Sequence, residues 1–79
     1  MKIALVTGAS RGIGRATALL LAQRGYAVGV NYVNNETAAH SVIDEIHQAG
    51  GKAIALKADI ADEAQVVAMF KQLSAELGP

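Results

Sequence analysis

Apolar residues gather in three short runs, Ile3 to Val6, Ala27 to Val30 and Ala53 to Leu56. None alternates strictly between polar and apolar positions, so each reads as a strand covered on both faces, as in a parallel sheet. Between and after these runs the apolar spacing becomes helical. The first helical pattern extends from about Gly12 to Arg24, with Ile13, Ala16, Leu20 and Leu21 on one side and Gly25 as its stop. The second starts near Asn34 or Asn35, either of which suits a cap; Ala39, Val42, Ile43 and Ile46 form its stripe, and Gly50-Gly51 ends it. The third opens at Asp62, with Gln65 three residues on in the arrangement of a capping box. Val66, Phe70, Leu73 and Leu77 share one of its faces, Met69 and Phe70 belong to its core, and Gly78-Pro79 terminates it.

The order strand, helix, strand, helix, strand, helix predicts an α/β fold with parallel strands and right-handed crossovers. Residues 1–79 make one partial domain, the N-terminal half of a doubly wound sheet. A fourth strand would lie against the far edge of the first, and none is seen before Pro79. The reading therefore expects a chain truncated before strand four, with an unpaired apolar edge along Lys2 to Thr7.

Composition narrows the function classes. The formal net charge is zero, which speaks against a nucleic-acid or membrane-surface partner, since both select a basic field. Absence of cysteine removes disulfides and thiolate metal sites. No run approaches the roughly 20 apolar residues of a membrane span, and the first residues do not resemble a secretion signal. A cytoplasmic protein is expected.

The chemistry is concentrated in Thr7-Gly8-Ala9-Ser10-Arg11-Gly12-Ile13-Gly14-Arg15, which joins the first strand to the first helix. A diphosphate needs donors at close range, and a helix N-terminus offers free backbone N–H groups and the positive end of the dipole. Gly8 permits the sharp turn, Gly12 lets the backbone approach the anion, and Gly14 lets the helix pack tightly on the strands. A Walker loop is excluded, because Gly14 is followed by Arg15-Ala16 and not by Lys and a hydroxyl residue. The commoner dinucleotide fingerprint is excluded too, because Ser10 stands where it would have its second glycine.

The spacing Thr7-Gly8-x-x-x-Gly12-x-Gly14 resembles that of the short-chain dehydrogenase/reductase family, with its Rossmann cofactor domain. The likeness continues through Asn31-Tyr32, Ala49-Gly50-Gly51 and Ala58-Asp59-Ile60, and is strongest to bacterial oxidoreductases related to glucose 1-dehydrogenase and 3-oxoacyl-carrier-protein reductase. The resemblance implies that Gly8, Gly12 and Gly14 form the diphosphate turn, with Ser10 and the backbone of Ile13 as donors. It implies that Asp59 accepts from the adenine amino group while Ile60 covers the ring. Asn31 and Tyr32, at the end of the second strand, are expected on the adenosine side, with Asn31 able to bond either nicotinamide cofactor.

Cofactor choice follows from charge. An NAD site places an acid at the end of the second strand, to bond the ribose 2′-hydroxyl. Here no acid appears until Glu36, and Arg11 is placed to pair with a 2′-phosphate. NADP is the expected cofactor, with NAD possible. Family members use a tyrosine, a lysine four residues later and an upstream serine. Tyr26 is followed at that distance by Val30 and Tyr32 by Glu36, so no catalytic residue is assigned in this chain. His40 and His47 stand two turns apart on one helix, too far to share a metal, and no metal site is expected. The parent protein is expected to transfer a hydride between the cofactor and a small carbonyl or alcohol substrate, and to be a homo-oligomer, while the 79-residue chain alone would be inactive. A non-catalytic dinucleotide-binding or redox-sensor module is the alternative.

Overall fold

The computed structural model describes residues 2–9 and 12–78. Six elements follow one another: β1 (Ile3–Val6), α1 (Gly12–Gln23), β2 (Ala27–Tyr32), α2 (Glu36–Gln48), β3 (Lys52–Lys57) and α3 (Glu63–Leu77). The strands form one parallel sheet in the order β1-β2-β3, with Ile3 opposite Ala27 and Ala27 opposite Lys52. β2 is buried along its whole length between its two neighbours, whereas β1 is only half-buried at the sheet's edge. An unpaired outer edge along β1 was the expectation, and among the described residues β1 pairs with β2 alone.

Helices cover both faces. Val28, Val30 and Tyr32 of β2 point into a cluster with Ala18 of α1 and Ala39, Val42, Ile43 and Ile46 of α2. On the other face Leu56 and Ala58 meet Met69 and Leu73 of α3, with Ile3, Leu5, Ile54, Val66 and Leu77 around them. The period of two along each strand thus serves two cores at once, which is why no strand alternates polar with apolar. Gly29 faces α3, where a Cβ would stand 2.8 Å from Leu73 Cδ1 and 2.9 Å from Leu56 Cδ1. Its missing side chain lets α3 lie close on the central strand.

The caps of α2 and α3 fall where side-chain chemistry puts them. Asn35 Oδ1 accepts from the Ala38 N–H at 3.0 Å, and Asp62 Oδ1 accepts from the Gln65 N–H at 3.2 Å. β2 and β3 run past their apolar stretches, because backbone pairing continues to Tyr32 opposite Lys57. Two stripes differ from the expected ones. On α1 the sheet-facing residues are Ala18, with Leu19, Leu21 and Ala22 half-buried beside it, while Ile13, Ala16 and Leu20 are exposed. A small residue at the point of contact draws the helix onto the sheet and turns the larger side chains outward. On α3, Met69 takes the buried place beside Leu73, and Phe70 is turned out to 51% exposure. Val66, Met69, Leu73 and Leu77 keep the spacing of one helical face; Phe70, one residue past Met69, is rotated about 100° from it.

Candidate functional site

Parallel strands put all their C-terminal ends at one edge, and three loops meet there. They are the glycine turn after β1, the Val33–Asn35 segment after β2 and the Ala58–Asp62 loop after β3. The strand ends are laced together by the backbone: the Ala9 N–H donates to the Asn31 carbonyl at 3.0 Å, and the Ala58 N–H donates to the Tyr32 carbonyl at 3.0 Å. In open α/β sheets ligands bind outside this carboxyl edge. A cavity of about 460 Å³ also opens at the opposite edge, lined by Leu19, Ala22, Tyr26, Ile46 and Lys52 among others. It lies at the far ends of the strands from the glycine turn.

The turn is built on glycines in conformations that other residues rarely adopt. Gly8 at φ 59° and Gly12 at φ 64° occupy the left-handed region, where a side chain is strained. Gly14 has a different task. A Cβ there would sit 2.2 Å from the Gly8 carbonyl oxygen, so the first turn of α1 is pressed directly onto the backbone leaving β1. The Thr17 hydroxyl donates back to the Ile13 carbonyl at 2.8 Å within that turn.

Electrostatics distinguish α1 from its neighbours. Helices α2 and α3 begin with Glu36 and Glu63, acids that complement the positive end of the dipole. α1 carries no acid in its first turn. Its Arg15 adds a positive charge there and is paired across to Glu45 of α2. The start of α1 therefore keeps a positive field facing outward, next to Ile13, which is 87% exposed.

The structure brings Gly8, Gly12, Ile13 and Gly14 to the same edge as Asp59 and Ile60. Ser10 and Arg11 lie outside the described residues. Ile60 is 57% exposed, an apolar side chain held in solvent at this edge. Asp59 is exposed as well, and it also shapes its own loop: its Oδ1 accepts from the Ala61 N–H at 2.9 Å. Its own N–H donates to Gln65 Oε1 at 2.9 Å. Gln65 thus departs from a simple capping box, reaching past Asp62 to the loop before it, while its Nε2 donates to Asp62 Oδ2 at 3.1 Å. This contact was hidden in the sequence, where Gln65 signals only a helix start.

Asn31 is placed otherwise than expected. It is 1% exposed on the α3 side of β2, and its Nδ2 donates to the carbonyls of Leu56 and Ala58, each at 3.1 Å. The amide is spent on the protein's own backbone and is not presented to the edge. Tyr32 lies in the cluster under α2. Burial, and then the nearby Glu36 carboxylate, push its hydroxyl above the usual tyrosine value. That direction is opposite to the one a general base needs, so Tyr32 stays a neutral donor at ordinary pH. His40 pairs with Glu36 at 3.5 Å and His47 Nε2 lies 3.2 Å from the Ala53 carbonyl, so the two rings have separate partners.

Comparison with known proteins gives a consistent picture. The family model for short chain dehydrogenases matches residues 2–79. The chain is 71% identical over 70 residues to an uncharacterized oxidoreductase, YgfF, of Escherichia coli, a match covering 89% of this chain and 28% of that protein. It is 48% identical over 77 residues to the 3-oxoacyl-[acyl-carrier-protein] reductase FabG of Staphylococcus aureus, covering 98% of this chain and 31% of the reductase. A crystal structure of a dehydrogenase/reductase from Sinorhizobium meliloti superposes with a TM-score of 0.95 at 45% identity, over 98% of this chain and 31% of that one. The chain spans under a third of the length of these relatives.

Proposed function

Because the chain belongs to the short chain dehydrogenase family, we propose that it holds the adenosine and diphosphate end of NADP(H) in an oxidoreductase acting on a carbonyl or alcohol. The observation that carries the reading is the fit of Gly14 against the Gly8 carbonyl. That contact presses the start of a helix with no acid in its first turn against the backbone leaving β1, and the first N–H groups of any helix have no partner within it. A diphosphate fits such a cradle in shape and in charge.

In this reading the residues divide the cofactor between them. The backbone of Gly12, Ile13 and Gly14, with Ser10, holds the diphosphate, and Ile13 screens it from water on the exposed side. Asp59 offers its second carboxylate oxygen to the adenine amino group, and Ile60 lies along the ring. Tyr32 closes the floor beside the ribose with a neutral hydroxyl. Asn31 has no direct part. When bound, the nicotinamide end supplies or accepts the hydride. Residues that act on the substrate belong to the remaining two-thirds or more of the length seen in relatives.

Preference for NADP rests on the end of β2, where neither Tyr32 nor Val33 is an acid and the first carboxylate is Glu36 at the start of α2, and on Arg11 in the turn. The test is to measure NADPH and NADH affinities before and after Arg11→Ala. The NADPH affinity is expected to fall about tenfold or more, the worth of a charge-assisted pair, while that for NADH changes little. Equal losses for both dinucleotides would refute the assignment of Arg11 to the 2′-phosphate.

A further inference from the structure

We propose that Asn31 is a positioning residue: it sets the adenine-side loop in register with the diphosphate turn, and does so without touching the cofactor. The proposal rests on the reading that a dinucleotide spans these two loops.

An amide near the end of a strand buried along its whole length needs a reason. Burying it without partners costs about 1–3 kcal/mol, and an apolar residue of similar size would avoid that cost. Along β2 every other side chain is apolar or absent up to Tyr32. Asn31 has two N–H donors, and both are used, one on Leu56 and one on Ala58, with Met69 Sδ 3.4 Å away as a weaker contact. Leu56 lies within β3, but Ala58 is the first residue beyond it. The Ala58 carbonyl belongs to the peptide that joins Ala58 to Asp59. Since that peptide is planar, holding its oxygen fixes the plane from which the Asp59 backbone departs.

The same residue reaches the other loop through its main chain. Its carbonyl accepts from the Ala9 N–H at 3.0 Å, in the middle of the glycine turn, and Ala9 is fully buried. One residue of the central strand therefore grips both loops, the turn by its carbonyl and the adenine side by its amide. The span between them is fixed from beneath, by a group with no exposure at the edge. Gln65 holds the loop from the opposite direction through the Asp59 N–H. The Ala58–Asp59 segment is clamped between the two amide side chains.

The test compares NADPH with its hypoxanthine analogue, which lacks the adenine amino group, in fluorescence titrations of the native protein, Asn31→Ala and Asn31→Thr. The native protein is expected to prefer NADPH about tenfold, the worth of one hydrogen bond to a carboxylate. Asn31→Ala should lose about tenfold in NADPH affinity and lose the preference with it. Asn31→Thr, which suits a strand and keeps a single donor, should fall between them and guards against simple failure to fold. Amide exchange gives a second reading: residues 59–61 should exchange at least tenfold faster in Asn31→Ala, with the amides of Val28 and Val30 unchanged. If both variants weaken the two dinucleotides equally, or unfold, Asn31 serves only the core and the proposal falls. If the native protein binds neither dinucleotide, it is the underlying cofactor reading that has failed. If it binds both equally, the role of Asp59 has failed, and the proposal with it.

Discussion

The glycine turn and the Ala58–Asp62 loop stand at the same edge of the sheet, yet they are held in shape by different means. Within the turn, order comes from main chain against main chain: Gly14 presses on the Gly8 carbonyl with no space for one further carbon. In the loop, order comes from side chains, with Asn31 on the Ala58 carbonyl, Gln65 on the Asp59 N–H and Asp59 on the Ala61 N–H. The first arrangement has no slack, because a displaced backbone has nowhere to go. The second is adjustable, because its outer hydrogen bonds, those of Gln65 and Asp59, can lengthen or be replaced by water. A site that must cradle a diphosphate of fixed shape at one end and read a base at the other is served by that division. It also means that the two regions should respond very differently to single substitutions.

Gly14→Ala should have the largest effect. A Cβ placed 2.2 Å from a carbonyl oxygen cannot be absorbed by rotating a side chain, so the start of α1 has to move away from β1. Destabilisation of about 3 kcal/mol or more is expected, together with loss of measurable NADPH binding. Thermal melts and a binding titration would check both; a variant with native affinity would show that the turn is not held by this contact. Gly29→Ala is the matching control in the core. The atoms nearest its added Cβ would be the methyl tips of Leu73, Leu56 and Leu5, which can shift by small rotations. A loss of about 1–2 kcal/mol is expected, with the dinucleotide affinity within about twofold of native.

Gln65→Ala probes the adjustable region. It removes the acceptor of the Asp59 N–H and the donor to Asp62, both in an exposed loop where water can take over. The expected cost is about 1 kcal/mol in stability, with a few-fold loss of NADPH affinity and faster exchange at the Asp59 amide. If this variant lost as much as Gly14→Ala, the loop would be as rigid as the turn, and the contrast between them would fail.

That contrast also explains what the sequence could and could not reveal. The turn was legible because its constraints are main-chain constraints, and only glycine meets them; the spacing of Gly8, Gly12 and Gly14 is the constraint itself written in residue types. The α2 stripe and its cap at Asn35 were legible for a similar reason, since Ala39, Val42, Ile43 and Ile46 all face one core. The loop was not. Gln65 reads as a helix-start signal and Asn31 as a strand-end polar residue facing ligand, and neither pattern records which backbone group the amide will find across the fold. Phe70 on α3, and Ile13, Ala16 and Leu20 on α1, were expected inward and face out for a related reason. Periodicity gives a spacing, but the rotation of the helix is decided by which residue lets it approach the sheet, Ala18 on α1 and Met69 on α3.

The smallest effect should come from Glu45→Gln, and its sign is informative. Arg15 and Glu45 link the first turn of α1 to α2, but their side chains are 41% and 49% exposed. An ion pair so open to water contributes about 0–1 kcal/mol, so the melting temperature should barely move. The charge change acts on binding instead. With Glu45 neutralised, Arg15 no longer has its counter-ion, and the positive field at the start of α1 grows. NADPH affinity should therefore rise slightly, by less than about threefold, and the gain should shrink as salt is added. A fall in affinity of more than tenfold would mean that the side-chain link, rather than the packing of Gly14 on Gly8, keeps the turn in its binding shape.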